Sequence, residues 1–192
     1  MTDTPAMIPL DPGPFAVPMP LVLVGARVGG KPNFMPAAFV GVVNFQPPTL
    51  ALGLSPRHHT VTGLEAEGRF SVNLPPPELV VPTDWCGLHS GEDVDKAGLF
   101  ELLADADPAC PIVRGCRLAA ECKLTHKVEL AVDTVFFGEI VKVWADPVAA
   151  PGGKPDWKRI DPLLFTFPDK GYWRLGDFVA RAWSVGKQHE PG

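Results

Sequence analysis

Proline and glycine recur at short intervals along the whole chain, with 23 prolines and 19 glycines among 192 residues. Proline removes a backbone N–H and glycine is costly to order, so both disfavour helix interiors. This density argues against a helix bundle and is typical of short strands joined by turns. We therefore predict a mainly β protein with small helices, built as a Greek-key-like barrel. Residues 1–192 are expected to form one domain, with a Pro-rich extension over 1–19.

Hydrophobic periodicity and turn residues predict the individual elements. The stretch 35–45 is apolar at odd and even positions, so it is expected to be one strand with both faces buried. A helix is predicted over 61–67, with Thr62 and Glu65 in the spacing of a capping box and Thr60 as a competing N-cap. Segment 79–103 mixes helix and loop. The other predicted strands are 21–28, 49–54, 70–74, 117–130, 134–144, 163–167 and 172–175.

Charge and apolar patterning exclude several functional classes. The chain has 17 basic and 22 acidic residues and a net charge of −5, and it has no basic stripe, so nucleic-acid binding is not expected. Its apolar stretches fall far short of the roughly 18 residues of a membrane span. Prolines interrupt the N-terminus, which does not resemble a signal peptide. The four cysteines lack C-x-x-C spacing and fit reduced thiols, so we expect a cytoplasmic protein without a metal site.

The loop 55–60, Ser-Pro-Arg-His-His-Thr, carries the most informative polar cluster. It places a guanidinium, two hydroxyls and two imidazoles just before a predicted helix N-terminus. Helix N-termini attract anions, and arginine can hold a phosphate through two hydrogen bonds. The loop is therefore a candidate phosphate site, with a solvated polar turn as the alternative interpretation.

Two further segments are candidates for ligand contact. In 32–39, Pro36 cannot donate a backbone hydrogen bond to a neighbouring strand, so it predicts a strand edge or a bulge. The small residues Ala37 and Ala38 leave room for a flat group near the backbone. The alternative interpretation is a bulged strand with tight packing. Segment 84–91, expected as a tight loop, holds Cys86 and His89, which alone fall short of a four-ligand zinc site. Lys96 is a candidate ligand cation or an ordinary surface charge. Common hydrolase, zincin, Walker A and dinucleotide-binding motifs are not found.

Seven separated blocks, taken in their order, resemble the flavin reductase-like, FMN-binding split-barrel family, and within it the flavoredoxin-type branch. The resemblance runs from about residue 20 to residue 187, nearly the whole chain. Each block is short, and the specificity comes from their common register. The blocks are 30–35 followed by the apolar stretch to Phe45 and by Pro47-Pro48, then 55–60, 68–73, 85–91, 94–96, 137–141 and 172–176.

The resemblance implies a cytosolic homodimer with FMN near the dimer interface. The flavin, and no catalytic side chain, then carries the redox chemistry. Residues 33–39 are implied to run along the isoalloxazine ring, and loop 55–60 to hold the phosphate. Segment 86–90 is implied to close over the ring or the ribityl chain. The implied cofactor-binding residues are Asn33, Phe34, Met35, Pro36, Ala37, Ala38, Phe39, Ser55, Pro56, Arg57, His59, Thr60, Cys86, Gly87, Ser90 and Lys96.

Two positions depart from the family pattern. Pro36 stands where a small hydroxyl or alanine is common, which removes one backbone donor near the ring. Many two-component flavin reductases carry Gly-Asp-His where this chain has Val132, Asp133 and Thr134. The missing histidine bears on the use of NADH or NADPH more than on FMN binding.

Three functions follow as hypotheses. The first is an FMN-dependent oxidoreductase that takes a hydride from NADH or NADPH and passes electrons to an acceptor. The second is a flavoredoxin-like FMN electron carrier that a partner protein reduces. The third is a barrel that binds a small ligand other than flavin.

Overall fold

The computed structural model describes residues 7–14 and 17–189. The chain is mainly β, as predicted. Its helices are α1 (His59–Glu67), α2 (Val80–Leu88) and α3 (Trp157–Ile160), with 3-10 turns at Pro77–Leu79, Ala97–Leu99, Pro151–Gly153 and Val185–Gln188. The strands are β1 (Met19–Pro20), β2 (Val22–Val28), β3 (Lys31–Ala37), β4 (Val40–Asn44), β5 (Thr49–Leu54), β6 (Arg69–Leu74), β7 (Leu118–Glu129), β8 (Thr134–Ala145), β9 (Leu164–Thr166) and β10 (Gly171–Trp173).

Seven antiparallel strands form the main sheet in the order β3-β2-β6-β7-β8-β5-β4. Its two edge strands, β3 and β4, follow each other in the chain but pair with opposite ends of the sheet. Buried residues from both halves of the sheet nevertheless share one hydrophobic core, including Val24, Leu52 and Phe136. The sheet therefore curls around this core without closing, which is the predicted split barrel. A smaller sheet has the order β1-β9-β10.

Local sequence explains where these elements begin and end. Gly29 and Gly30 both have positive φ and make the turn between β2 and β3, a conformation that glycine adopts at no steric cost. Gly68, also left-handed, ends α1. Gly63 lets α1 pack directly on β2, since a Cβ atom there would overlap the carbonyl oxygen of Arg27.

The structure corrects three local predictions. The stretch 35–45 is not one strand: the chain turns at Ala38 and Phe39, where the Val40 amide donates to the Ala38 carbonyl at 2.9 Å. β4 is also largely exposed on this chain. Helix α1 begins at residue 59, two residues early, and Thr62 Oγ1 bonds the His59 carbonyl instead of a capping-box amide. Residues 84–88 lie in helix α2, so only the rest of 84–91 is loop.

The cysteines, the helix lengths and the N-terminal residues bear on three further predictions from the sequence. All four cysteines are free thiols, in agreement with the predicted reduced state, and all four are buried. Within 7–14 and 17–189, no helix has the length and apolar content of a bilayer span. Residues 7–14 of the predicted extension are exposed, whereas 1–6 and 15–16 lie outside the described residues.

Candidate functional site

A cavity of about 470 Å³ opens where β3, the start of α1 and the end of α2 meet. It lies in the size range of small-ligand sites. Three sequence-distant segments build it, and the loop after α2 brings in Lys96. The lining residues are Met35, Pro36, Arg57, His58, His59, Thr60, Cys86, Gly87, Leu88, His89, Ser90, Gly91 and Lys96.

This first cavity is cationic. Arg57 and Lys96 supply its positive charge, and no carboxylate is among its described lining residues. Three histidines line it as well. Helix α1 adds to the positive potential, because its N-cap, His58, makes no side-chain cap and its first turn has no acidic residue. The free amides and the dipole of a helix N-terminus favour an anion. The cavity is therefore suited to a phosphate or a similar anionic group.

Lys96 is a buried cation, with only 4% of its surface exposed. Its Nζ donates to the carbonyl oxygens of Cys86 at 2.7 Å and of Phe34 at 3.1 Å. Burial lowers the pKa of Lys96, and the Cys86 thiol partly opposes this shift. The two hydrogen bonds tie α2 to β3 and leave the third ammonium proton for a ligand, since an ammonium has three donors.

Close packing fixes the walls of this cavity. Asn33 Nδ2 donates to Thr60 Oγ1 at 2.8 Å, which joins β3 to the first turn of α1. A Cβ atom on Gly87 would come within 2.9 Å of Pro36 Cγ, and one on Gly91 would overlap the amide of Asn33. Small residues are thus required where the end of α2 and its loop cross β3.

A second cavity of about 210 Å³ adjoins the first and shares Met35, Pro36 and His58 with it. One side is aromatic: the rings of Phe165 and Phe167 meet edge to face at 4.9 Å, and Phe39 lies 6.4 Å from Phe167. Its further lining is Ala37, Ala38, Gly53, Leu54, Ser55 and Asp133. The two cavities together form a groove that is cationic at one end and apolar at the other.

His58 lies at the junction of the two cavities. Burial lowers its pKa most, and the positive charges of Lys96 and Arg57 lower it further. The carboxylate of Asp133 acts in the opposite direction. His58 thus faces the groove with its neutral form favoured.

Cys86 contributes its backbone more than its thiol. The side chain is 1% exposed, and burial raises the pKa of its thiol to about 11. A protonated, enclosed thiol is a poor nucleophile. Its carbonyl, in contrast, anchors Lys96. Among the residues that the structure describes, no three His, Cys, Asp or Glu side chains are grouped to hold a metal ion.

The residues predicted from the sequence divide between the two ends of the groove. Arg57, His59, Thr60, Cys86, Gly87, Ser90 and Lys96 line the cationic cavity, and Met35 and Pro36 line both cavities. Ser55 lies at the apolar end with Ala37, Ala38 and Phe39, away from the cationic residues of its own loop. Phe34 is fully buried and reaches the site only through its carbonyl. Asn33 lies just beyond, and Pro56 lines neither cavity.

Sequence reasoning omitted several residues of the groove. His58 lies within the polar loop 55–60, so the residue types of that loop were the available signal for its place in the groove. Phe165 and Phe167 carry none, because they lie far along the chain from 35–60 and β9 brings them there. The sequence indicated Asp133 only within 132–134, where the chain departs from the family pattern, and this residue lines the apolar cavity.

Comparison with known proteins identifies the relationship. Residues 15–171 match the family model described as a flavin reductase like domain. The chain belongs to the flavin reductase-like family. The resemblance drawn from the sequence blocks is therefore confirmed, and so is the split-barrel fold of this flavin reductase-like protein.

Solved structures place this flavin reductase-like protein near flavoredoxins. A flavoredoxin from Methanosarcina acetivorans is 40% identical, with a TM-score of 0.90, over 95% of this chain and 98% of that one. Flavoredoxin of Desulfovibrio vulgaris (Miyazaki F) is 33% identical, with a TM-score of 0.87, over 94% of this chain and 100% of that one. An FMN-binding protein from Thermus thermophilus, solved with bound 1-cyclohex-2-enone, is 27% identical, with a TM-score of 0.77, over 94% and 100%.

Proposed function

We propose that the protein binds FMN along the groove and acts as an FMN-dependent oxidoreductase. The observation that carries this proposal is the division of the groove into a cationic end without described carboxylates and an adjoining apolar end. FMN has the same division, with a terminal phosphate at one end and a flat ring system at the other. The charge distribution along the groove therefore supports FMN as its ligand.

Each part of the groove has a distinct task in this proposal. Arg57 holds the phosphate through two hydrogen bonds, and Lys96 supplies a second, buried positive charge. The small side chains of Ala37 and Ala38 let the ring lie close to the backbone of the turn after β3. Thr60 and Ser90 provide hydroxyl groups at the polar end. Bound FMN supplies hydride and electron transfer, and the protein supplies position, polarity and exclusion of water.

NADH or NADPH is the electron donor in this proposal, and membership of the flavin reductase-like family supports it. The test is the absorption spectrum of the purified protein, reconstituted with FMN, before and after anaerobic addition of each nucleotide. Rapid bleaching of the flavin bands by one nucleotide supports the oxidoreductase and identifies its donor. A protein that retains no flavin after reconstitution refutes the proposal and leaves a barrel for another small ligand.

A flavoredoxin-like electron carrier is the second candidate. The 40% identity to a flavoredoxin favours it, as does Thr134 at the position where many two-component reductases have histidine. A carrier holds FMN but is reduced by a partner protein. Flavin bands that persist with both nucleotides, and that bleach with a reduced redox protein, would select this function.

We further propose that the protein is a homodimer whose interface includes strand β4. This edge strand presents Val42 and Val43, which are 73% and 55% exposed, and Phe45 follows at 93% exposed. Exposed apolar edge strands favour pairing with another chain. Sedimentation that gives a monomer with FMN bound would contradict the dimer.

We also propose that the protein is cytoplasmic. The four buried free thiols support a reducing compartment, where cysteines remain unpaired. Fractionation of cells that express a tagged chain tests this placement, and recovery outside the cytoplasmic fraction would contradict it.

A further inference from the structure

A third cavity, of about 240 Å³, lies directly beyond the cationic end of the groove. It shares His59, Gly91 and Lys96 with the cationic cavity. Its character is different, however, because Glu92, Asp93 and Asp95 are among its lining residues. Lys31 and Lys96 also line this third cavity, so beyond His59 the lining changes from one without carboxylates to one with three carboxylates and two ammonium groups.

Glu92 is the carboxylate that reaches the boundary. Its Oε1 lies 3.6 Å from Nδ1 of His59, and the two side chains are 70% and 24% exposed. Asp95 is engaged differently, since it accepts a hydrogen bond from the amide of Ala97 at 2.9 Å. Glu92 and its neighbour Asp93 thus form an acidic rim next to the cationic cavity.

The backbone holds this rim in place. The amide of Glu92 donates to Ser90 Oγ at 3.2 Å, and the amides of Asp93 and Val94 donate to the Ser90 carbonyl at 3.2 Å. Gly91 packs against Asn33 so closely that no side chain fits there. These contacts fix the backbone of the loop that carries Glu92 and Asp93 beside the cavity mouth.

We propose that Glu92, supported by Asp93, is a specificity-determining residue that makes the chain select FMN over FAD. The inference rests on the proposed function, namely that the groove holds a flavin with its phosphate at the cationic end. In FMN the phosphate is terminal, so the ligand stops before the rim. In FAD the same phosphate continues into a second phosphate and an adenosine, which must leave the site past the carboxylates.

Coulomb repulsion gives the expected size of this discrimination. A unit charge about 6 Å from another changes a binding constant about threefold in a water-like medium and about tenfold at half that dielectric constant. The second phosphate of FAD would lie beside these carboxylates, and Lys31 and Lys96 in the same lining would offset part of the repulsion. The phosphate of FMN is compensated by Arg57 and Lys96, which line the cationic cavity, so the rim affects it less.

The test is a titration of the flavin-free protein with FMN and, separately, with FAD. We expect the wild-type protein to bind FMN more tightly. Glu92→Gln should lower the ratio of the FAD dissociation constant to the FMN dissociation constant by about three- to tenfold, mainly because FAD binds more tightly. Adding Asp93→Asn should lower this ratio further. Both effects should shrink at high salt, because the rim is exposed.

The control variant is Glu67→Gln, which removes an equal charge from the exposed last residue of α1. It should leave the ratio unchanged. Circular dichroism of every variant establishes that the fold is retained. A wild-type protein that binds FAD as tightly as FMN, or a ratio that Glu92→Gln does not alter, overturns the inference. Failure of the wild-type protein to bind either flavin refutes the proposed function, and it also refutes the inferred selectivity for FMN.

Discussion

Replacing Arg57 by alanine tests the phosphate end of the groove most directly. The Arg57 side chain is exposed and lines the cationic cavity. Within 7–14 and 17–189 it makes no salt bridge or side-chain hydrogen bond, unlike Arg114, which pairs with Glu101 at 2.5 Å. Its removal therefore leaves no buried group without a partner. We expect folding stability to change by less than about 0.5 kcal/mol, as for ordinary surface substitutions.

FMN binding, in contrast, should weaken markedly. A hydrogen bond to a charged group contributes about 1.5–3 kcal/mol, and an arginine–phosphate contact is of this kind. At about 1.4 kcal/mol for each factor of ten, the dissociation constant for FMN should rise about 10- to 150-fold. Arg57→Lys should fall between the wild-type protein and the alanine variant, because lysine keeps the charge but loses the planar fork.

Riboflavin provides the internal comparison, since it has the ring and the ribityl chain without the phosphate. Titration of the flavin-free protein, followed by quenching of flavin fluorescence, gives both dissociation constants. Arg57→Ala should weaken FMN binding while leaving riboflavin binding nearly unchanged. Arg114→Ala, which removes an arginine away from the groove, should alter neither. Equal losses for both flavins, or unchanged FMN affinity, would show that Arg57 does not hold the phosphate.

Three further predictions concern the framework. Gly63→Ala should lower the free energy of unfolding by about 1–3 kcal/mol, because the added methyl group overpacks against Arg27 and Val28, although alanine normally stabilises a helix. Urea unfolding measures this change, and an unchanged midpoint would contradict the close packing. Tyr172, the single tyrosine, should ionise well above pH 10 in ultraviolet titration, because burial and its 2.5 Å hydrogen bond to Asp84 raise its pKa. The contribution of this raised pKa to folding stability is fully present below the unfolded pKa of about 10 and is lost as pH rises through the folded pKa. Ionisation of Tyr172 near pH 10 in the native protein would argue against its hydrogen bond to Asp84. A thiol reagent at neutral pH should label none of the cysteines before unfolding, because burial raises their pKa values, that of Cys86 to about 11; rapid native labelling contradicts this.

Local patterns predicted most of the strand positions. The long strands β7 and β8 follow the predicted 117–130 and 134–144 closely. The stretch 35–45 failed for a physical reason, because a continuous apolar pattern cannot show where the chain leaves one sheet edge for the other. That change occurs at Ala38 and Phe39, where β3 pairs with β2 and β4 pairs with β5.

The exposure of β4 also illustrates what a pattern leaves open. Apolar residues on both faces of 35–45 predicted burial, yet Val42 and Phe45 are exposed on the chain considered by itself. A continuous apolar pattern indicates a preference for burial, but it cannot show whether a given side chain is covered.

The sequence by itself determined the fold class, most of the strand positions and the polar loop that precedes α1. These properties are local, since backbone propensity, turn residues and periodicity depend on neighbours along the chain. The tertiary structure decided which groups share the groove. It buried Lys96 between two carbonyls, placed Phe165 and Phe167 beside Phe39, and set Glu92 against His59. Those contacts depend on how the sheet curls and which strands pair, and pairing between distant segments leaves no periodic trace in the sequence.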